Sequence, residues 1–174
     1  MEIKVGVVGA TGYAGAELVR LLLNHPYAKL TAISSVTFEG QKLSEVYPSY
    51  LGLCDMVCKT QEEVVEKCDV VFAALPHGLS QELAAACAKR MKFFIDLGAD
   101  FRLEDEETYK TWYGCEFLDK ALHEQAVYGL PELFRPFIRG KSLIANPGCY
   151  ATAVPLAIVP AMEAGLIETD HIIA

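Results

Sequence analysis

Near its start the chain reads Ile3-Lys4-Val5-Gly6-Val7-Val8-Gly9-Ala10-Thr11-Gly12-Tyr13-Ala14-Gly15, and this stretch decides the fold. Its first part is a short β-branched run bounded by glycine, which is typical of a buried parallel strand. Glycines then recur at every third position, and leucines continue at helical spacing from Ala16 to Asn24. The pattern therefore predicts a strand, a glycine-rich turn and a helix.

The glycine-rich turn has the context of a dinucleotide-binding fingerprint. Glycines let the backbone approach a pyrophosphate, which rests on the N–H groups of the helix N-terminus. The spacing is Gly-x-x-Gly-x-x-Gly instead of Gly-x-Gly-x-x-Gly, but the same physics applies. Glycines at a strand end can also form a tight turn and nothing more, but the flanking strand and helix favour phosphate binding. The predicted cofactor contacts are Gly9, Thr11, Gly12, Tyr13, Ala14 and Gly15.

The second predicted strand, Lys29 to Ser34, should end at the adenosine ribose of the cofactor. An Asp or Glu at this place binds the 2′-hydroxyl of NAD, whereas this chain continues Ser34-Ser35-Val36-Thr37. Neutral hydroxyl groups do not repel a 2′-phosphate and can donate to it, so the pattern favours NADP, with Ser34 and Ser35 as contacts. No Arg follows, Lys42 lies further along, and serines at a strand end can equally be turn formers.

Strand and helix patterns continue to alternate, which predicts an α/β fold with a doubly wound parallel sheet. Thr60 and Glu63 form a capping box that opens a short helix to Lys67, whereas residues 38–53 look irregular. The other predicted elements are the strand Asp69–Leu75, the helix Ser80–Met91, the strand Phe93–Leu97, the helix Glu104–Tyr113, a short strand or turn and then a bend at Tyr128–Glu132, and the strand Ser142–Ala145.

A second turn carries the predicted nucleophile. The stretch Asn146-Pro147-Gly148-Cys149-Tyr150-Ala151-Thr152 connects the strand Ser142–Ala145 to an apolar helix predicted over Ala151–Ala164. Cys149 therefore lies at or just before a helix N-terminus, where unpaired N–H groups and the helix dipole favour a thiolate. A thiolate on an accessible turn is the nucleophile that covalent catalysis at an acyl carbon needs. The alternative is that Cys149 is a small core residue.

The end of the chain gives two further expectations. Pro155 and Pro160 fall inside the predicted last helix, so we expect a kink, or a restart near Pro155. After Gly165, the segment Asp170–Ala174 has a strand pattern in which the chain stops. Because a domain rarely ends on an exposed apolar half-strand, the chain is interpreted as one piece of a longer protein.

Loops after the strands carry further side chains of ligand-binding type. Ligands of doubly wound sheets bind at the carboxyl ends of the strands, where His77, Asp100 and Arg102 are all expected. A buried Arg102 would clamp a carboxylate or phosphate, although a surface ion pair with Glu104 or Asp105 is the simpler alternative. For His77 the simpler alternative is a solvated loop histidine.

Composition excludes several classes of function. Hydrophobic residues make up 52% of the 174-residue chain, which indicates a large buried core. The net charge is −8 and the basic residues are scattered, so we expect neither a nucleic-acid surface nor binding to membranes. The apolar run Ala153–Met162 is too short for a membrane span, and no signal-peptide pattern precedes the first strand. The six cysteines include no Cys-x-x-Cys pair, so we predict a cytoplasmic protein with free thiols and no metal site.

These segments together resemble the N-terminal half of the N-acetyl-gamma-glutamyl-phosphate reductases, a family of arginine biosynthesis. The Pro-Gly-Cys-Tyr-x-Thr pattern around Cys149 is the most specific part of the resemblance. Aspartate-semialdehyde dehydrogenases share the glycine turn and a catalytic Cys but differ around that Cys. The matching segments, in the order of the family, are Gly9–Gly15, Leu75–Gly78, Asp96–Arg102, Tyr128–Glu132 and Asn146–Thr152.

The resemblance implies NADPH-dependent reduction of N-acetyl-L-glutamyl 5-phosphate to the 5-semialdehyde plus phosphate, through a thioester on Cys149. It also implies cofactor contacts at Pro76 and His77. The implied substrate contacts are Arg102, Glu132 and Asn146.

Members of this family are considerably longer than this chain. The resemblance therefore implies an NADP-binding Rossmann domain at 1–148 and, at 149–174, the catalytic-Cys helix and the start of a truncated α+β catalytic and dimerisation domain. The absent half would supply a general acid/base His and the dimer contact. We therefore expect the isolated chain to bind cofactor with low or no turnover, and the full-length protein to be a homo-oligomer.

One departure from the family pattern bears on the cofactor. The family often carries a basic residue soon after the second strand and then Ala-Gly-Lys, whereas here Val36 and Glu39-Gly40-Gln41 stand in those places. The strength of the NADP preference is therefore left open by the sequence.

Three alternatives stay open at this stage. One is a sister acyl-phosphate reductase of lysine biosynthesis, whose substrate is one carbon longer. Another is an aspartate-semialdehyde dehydrogenase, against which the Tyr150 context argues. The third is a non-catalytic NADP-binding module, which would need no reactive thiol at Cys149.

Overall fold

The computed structural model describes residues 2–173, which form one parallel sheet flanked by helices. The strands are β1 (Ile3–Val8), β2 (Ala28–Ser34), β3 (Cys58–Lys59), β4 (Val70–Ala73), β5 (Phe93–Asp96), β6 (Val127–Tyr128) and β7 (Leu143–Ala145). The helices are α1 (Tyr13–Leu22), α2 (Leu43–Val46), α3 (Gln61–Lys67), α4 (Gln81–Lys89), α5 (Glu106–Tyr113), α6 (Lys120–Gln125), α7 (Pro131–Ile138) and α8 (Cys149–Glu163), and a 3-10 turn covers Pro48–Tyr50.

The sheet has seven strands in the order β3-β2-β1-β4-β5-β7-β6, and every pairing between these strands is parallel. From β1 the chain first extends the sheet to one side through β2 and β3, and then to the other side from β4 onward. This reversal confirms the doubly wound α/β fold. It also creates a crevice beyond the carboxyl ends of β1 and β4, which is where such folds bind ligands.

The core consists of two apolar clusters, one on each face of the sheet. On β1 the side chains alternate, so that Val5 and Val7 join one cluster and Val8 joins the other. The first cluster packs α1 and residues 43–58 against the sheet, and the second packs α3 and α4. Both faces are therefore covered around β1 and β4, as a parallel sheet requires.

Local signals explain most of the helix boundaries. The Thr60 hydroxyl accepts a hydrogen bond from Glu63 N at 3.2 Å, and Glu63 Oε2 accepts one from Thr60 N at 3.3 Å, which confirms the predicted capping box. Helix α1 begins at Tyr13, three residues before the predicted start, because Gly12 serves as its N-cap. The stretch interpreted as irregular contains α2 and the 3-10 turn.

The region between β5 and β7 was predicted less well. The sequence analysis gave no helix at Lys120–Gln125 and only a bend after Tyr128, whereas the structure has α6 and α7 there. Asp119 caps α6 by accepting from Leu122 N at 3.0 Å, and Pro131 stands in the first turn of α7. A proline there costs no hydrogen bond because that N–H would be unpaired in any case.

Two expectations about the end of the chain differ, in whole or in part, from the structure. Helix α8 runs through Pro155 and Pro160 as one element, so the predicted restart at Pro155 was wrong, because each proline removes only one bond of the ladder. The kink, which was the other expectation, stays a prediction. Residues 170–173 form a turn and irregular chain instead of a strand, because no described strand lies beside them to share its hydrogen bonds. Within residues 2–173, no helix combines the length and the apolarity needed to cross a membrane.

Candidate cofactor and catalytic site

The loops after β1, β4, β5 and β7 lie side by side at the carboxyl edge of the sheet. Each is joined to its neighbour by one backbone hydrogen bond just past the strand. Ala74 N donates to Val8 O at 2.8 Å, Leu97 N to Ala73 O at 2.9 Å, and Asn146 N to Asp96 O at 2.8 Å. The sheet thus brings the glycine turn, the His77 loop, the Arg102 loop and the Cys149 turn to one edge.

The three glycines of the first turn differ in whether packing within the chain requires a glycine at that position. Gly9 has a φ of +83°, and a Cβ there would overlap Ala74 O and lie 3.0 Å from Ala74 C. A Cβ on Gly15 would overlap Gly9 O and lie 2.9 Å from Ala10 Cα, so α1 packs directly on the turn. A Cβ on Gly12 would meet only Gly9 O, at an acceptable 3.4 Å. The described chain therefore does not require a glycine at position 12, and the open space there suits a ligand that approaches the backbone.

The glycine turn is anchored to the end of β2 and to the segment after α2. Gly9 N and Ala10 N both donate to Ser34 O, at 3.0 and 2.9 Å, and Tyr47 Oη donates to Thr11 O at 2.7 Å. Tyr13 is 93% exposed, so its side chain projects from the start of α1 into solvent. The turn is fixed before any ligand binds, which is the preorganisation that a pyrophosphate cradle needs.

The two serines predicted to contact a 2′-phosphate are both buried. Ser34 is 1% exposed, and its hydroxyl has no hydrogen-bond partner within residues 2–173. Ser35 Oγ lies 2.6 Å from Thr11 Oγ1 and accepts a hydrogen bond from Phe38 N at 3.2 Å. Ser35 is thus a turn former, the alternative that the sequence left open, while the cofactor role of both serines stays a prediction.

Asp100 fixes the loop that carries Pro76 and His77. Its side chain is fully buried and accepts hydrogen bonds from Gly78 N at 2.6 Å, Ser80 N at 2.8 Å and Tyr109 Oη at 2.9 Å. Pro76 and His77 themselves are exposed, and the His77 ring lies 5.5 Å from the ring of Tyr113. Asp100 therefore acts on this loop as a positioning residue, and the predicted cofactor contacts of Pro76 and His77 remain untested.

Arg102, which the sequence analysis expected to clamp an anion if it were buried, donates to two backbone carbonyls. Its Nε donates to Asn146 O at 2.8 Å and its Nη2 to Leu97 O at 2.7 Å. The remaining nitrogen, Nη1, lies 3.3 Å from the position that a Cβ on Gly148 would occupy. The described residues show no ion pair between Arg102 and Glu104 or Asp105 either. Arg102 braces the loop before Cys149, and because its guanidinium group has five N–H donors, three of them stay without a partner among the described residues. The substrate contact of Arg102 stays a prediction.

Cys149 is the first residue of α8, directly after the N-cap Gly148. It is the one exposed thiol among the described residues, so the alternative of a small core residue is excluded. By contrast, Cys54, Cys58, Cys68 and Cys87 are buried, and burial raises the pKa of Cys68 to about 11 and that of Cys87 to about 12. Exposure and the first unpaired N–H groups of α8 distinguish Cys149 as the candidate nucleophile.

The last two predicted substrate contacts lie in different surroundings. Asn146 is half-buried next to the Cys149 turn, where its Nδ2 donates to Pro147 O at 3.1 Å. Glu132 is exposed in the first turn of α7, and its side chain forms no hydrogen bond or ion pair with the described residues. The structure thus places Arg102 and Asn146 beside the Cys149 turn, and the substrate contact of Glu132 stays a prediction.

Asp96 is a buried carboxyl at the end of β5 that the sequence analysis quoted in a motif without giving it a role. Its Oδ1 accepts a hydrogen bond from Gly98 N at 2.9 Å. Ser80 Oγ lies nearby, but neither it nor Asp96 Oδ2 completes a hydrogen bond of normal geometry within residues 2–173. Burial raises the Asp96 pKa from 3.8 to about 6, and the nearby Asp100 carboxylate adds to this effect.

The raised Asp96 pKa predicts that the protein is less stable at neutral pH than at acidic pH on account of this group. The folded state holds the proton more tightly than the unfolded state, so the contribution is complete below about pH 4 and is lost as the pH rises through 6. The difference corresponds to about 2–3 kcal/mol. We expect Asp96→Asn to raise the free energy of unfolding at pH 7.5 and not at pH 4, measured by urea denaturation.

Asp105 provides a control with the opposite sign. Hydrogen bonds from Thr108 hold its pKa below the usual value, so its contribution to stability is lost as the pH falls. Asp105→Asn should therefore destabilise the protein at neutral pH. An Asp96→Asn variant that behaves in the same way would contradict the assignment of Asp96 as a buried group that is protonated at acidic pH.

A family profile described as semialdehyde dehydrogenase, NAD binding domain, matches residues 4–140. The chain belongs to this family. It is 51% identical to the N-acetyl-gamma-glutamyl-phosphate reductase of Clostridium beijerinckii and 49% identical to that of Symbiobacterium thermophilum, over 98% and 99% of its length. In both cases it covers 50% of the relative, so it spans about half the length of the curated relatives that it matches. The resemblance found in the motifs is thereby confirmed.

Solved structures of the semialdehyde dehydrogenase family share the fold. An aspartate semialdehyde dehydrogenase with NADP from Candida albicans superposes with a TM-score of 0.71 at 18% identity, over 96% of this chain and 48% of that one. Aspartate semialdehyde dehydrogenase II from Vibrio cholerae gives 0.69 at 20% identity, over 94% of this chain and 43% of that one. At these identities the likeness concerns the architecture alone.

Proposed function

We propose that this chain is the cofactor-binding and nucleophile-bearing half of an NADPH-dependent N-acetyl-gamma-glutamyl-phosphate reductase. The reaction would convert N-acetyl-L-glutamyl 5-phosphate into N-acetyl-L-glutamate 5-semialdehyde and phosphate, a step of arginine biosynthesis in the cytoplasm. The observation that carries the proposal is the position of Cys149. Its exposed thiol stands at the N-terminus of α8, on the same edge of the sheet as the glycine turn.

The glycine turn supports the cofactor part of the proposal. Gly12 leaves the space that a pyrophosphate needs, while the packing of Gly9 and Gly15 fixes the turn around it. Residues of the turn would hold the pyrophosphate, and the end of β2 would face the adenosine ribose. When bound, NADPH would supply the hydride that reduces the acyl carbon.

The Cys149 turn would carry out the acyl transfer. The thiolate attacks the acyl carbon, a carbon–sulfur bond forms, and the bond between that carbon and the phosphate oxygen breaks so that phosphate leaves. Arg102 holds the Asn146 carbonyl and thereby the turn in front of Cys149, and its Nη1 lies on the side of Gly148. After reduction, the carbon–sulfur bond breaks and returns the thiolate to Cys149.

The remaining functions would come from the part of the protein that the relatives have beyond this chain. We propose that residues 1–148 form the cofactor domain and that 149–174 begin a catalytic and dimerisation domain in a homo-oligomer. A general acid/base His would come from that domain. The chain by itself would then form the thioester at Cys149 but complete the reduction slowly or not at all.

The proposal predicts that Cys149 becomes acylated by an acyl phosphate. We expect the chain, incubated with N-acetylglutamyl phosphate, to gain one acyl group that peptide mass spectrometry locates at Cys149 and that hydroxylamine removes. Cys149→Ser should abolish the modification. Cys115→Ser, which removes a half-buried thiol, should leave it unchanged. Acylation that is spread over other residues, or none at all, would refute the proposed nucleophile.

A further inference from the structure

A small cavity of about 200 Å³ lies at the carboxyl end of β2. It is lined by the residues that end β2, by the last residue of β3 and by the first turn of α3, with Glu39 on its rim. Since Ser34 O holds Gly9 N and Ala10 N, this cavity adjoins the glycine turn. A dinucleotide whose pyrophosphate rests at Gly12 would extend its adenosine ribose toward this cavity.

Lys59 is the only cationic side chain that lines this cavity in the part of the chain that the structure describes. It is the last residue of β3 and pairs with Ser34 across the parallel ladder, so its backbone stands one strand away from the end of β2. The sequence analysis did not consider it, because Lys59 is 24 positions after Ser35 and only the sheet brings the two together.

We propose that Lys59 is the residue that selects NADPH over NADH, by binding the adenosine 2′-phosphate at the end of β2. The inference rests on the proposed cofactor role and goes further, since it assigns the preference to a residue outside β2. The serines that were predicted to supply it are buried, and the Ser35 hydroxyl is engaged with Thr11 and Phe38 N.

The ion pairing around Lys59 leaves its ammonium group available. Among residues 2–173 it forms one ion pair, with Glu63, where Nζ and Oε1 are 3.9 Å apart, and the Lys59 side chain is 43% exposed. Glu63 also contacts Lys67 Nζ at 3.4 Å and accepts a hydrogen bond from Thr60 N. Glu63 therefore keeps its other partners if the Lys59 ammonium turns toward a phosphate.

Two carboxylates at the cavity act against the binding of a 2′-phosphate and so oppose the proposed role of Lys59. Glu39 and Glu62 also line the space and would repel a 2′-phosphate. An acid that binds the ribose 2′-hydroxyl of NAD stands at the end of β2, but here β2 ends in Ser34 and continues with Ser35 and Val36. Lys59 should therefore prevail, and removing Glu62 should strengthen the binding of NADPH.

The test is a fluorescence titration of the 174-residue chain with NADPH and with NADH. We expect Lys59→Met to weaken NADPH binding about tenfold and to leave NADH binding unchanged, because only NADPH carries the extra phosphate. Lys59→Arg should retain the preference. Glu62→Gln should tighten NADPH binding about twofold to threefold and leave NADH binding unchanged.

Lys67→Met is the matched control. Lys67 also pairs with Glu63 and is also four positions from it, but it does not line the cavity. Both variants lose one ion pair to Glu63, so only a cavity-specific role separates them. Circular dichroism melting verifies that each variant is folded.

The possible outcomes separate this inference from the proposed function. If the wild-type chain binds neither nucleotide, the proposed cofactor role fails and this inference fails with it. If it binds NADPH and NADH equally, or if Lys59→Met keeps the preference, the role of Lys59 is refuted while cofactor binding stands. Loss of the preference in Lys59→Met, but not in Lys67→Met, supports the proposal.

Discussion

Replacing Asp100 by Ala is expected to lower the free energy of unfolding by about 4 kcal/mol. Gly78 N, Ser80 N and Tyr109 Oη all donate to the Asp100 carboxylate, and the change leaves them without this acceptor. The Asp100 side chain is fully buried, so water cannot easily replace it. Each unpaired buried donor costs about 1–3 kcal/mol, which is a large part of the stability of a domain. Urea denaturation at neutral pH measures the loss, and near-ultraviolet circular dichroism should report disorder around Tyr109.

Two further variants make this expectation specific. Asp100→Asn keeps one acceptor oxygen but turns an amide toward a backbone donor, so we expect an intermediate loss. Asp105→Ala also removes a carboxylate that accepts a hydrogen bond from a backbone N–H, that of Thr108, but this carboxylate lies at the exposed start of α5. We therefore expect a much smaller decrease in the free energy of unfolding. If Asp100→Ala is no more destabilising than Asp105→Ala, Asp100 does not hold the His77 loop.

Replacing Gly15 by Ala is expected to destabilise the protein by about 3 kcal/mol and to abolish cofactor binding, whereas replacing Gly12 by Ala should impair binding alone. A Cβ on Gly15 would overlap Gly9 O and lie 2.8 Å from Gly9 C, and neither backbone atom can move without opening the turn. A Cβ on Gly12 would meet no atom of the described residues closer than Gly9 O, at 3.4 Å. We expect Gly12→Ala to stay within about 1 kcal/mol of the wild type and to bind NADPH more than about tenfold more weakly.

The pair of glycine variants separates folding from binding because the two residues lie in the same turn. Thermal melting gives the stability, and fluorescence titration gives the affinity for NADPH. Unchanged affinity in Gly12→Ala would show that the pyrophosphate does not rest at this turn. Equal loss of stability in both variants would show that packing within the chain requires a glycine at position 12 as well as at position 15.

Much of the fold could be predicted because its signals are local. The alternation of apolar strands and helices, the capping box at Thr60 and the glycine turn each act over a few neighbouring residues, and all three are present in the structure. Helix α7 was missed although Pro131 marks its start, because Tyr128–Glu132 was interpreted as a short strand or turn followed by a bend. The candidate nucleophile was found for the same local reason, since Gly148 and Cys149 stand at a helix start.

The environment of the site depends on contacts that no local pattern encodes. Arg102 gives two of its nitrogens to the carbonyls of Asn146 and Leu97, and this follows from the pairing of β5 with β7. The Ser35 hydroxyl forms a hydrogen bond with the hydroxyl of Thr11, which lies on the turn after the neighbouring strand β1. Lys59 reaches the end of β2 through the ladder between β2 and β3. In each case the residue type was visible in the sequence, but its partner was set by the topology.

The position of β1 inside the sheet, between β2 and β4, has a consequence for the synthesis of the protein. β1 is synthesised before β4, yet it pairs with β4 on one side, and the bond from Lys4 N to Asp69 Oδ2 joins residues 65 positions apart. At ribosomal rates about 3–13 seconds separate the two. During that interval β1 has an open edge with apolar side chains on both faces. We therefore expect a product that terminates before Val70 to aggregate more readily than the 174-residue chain.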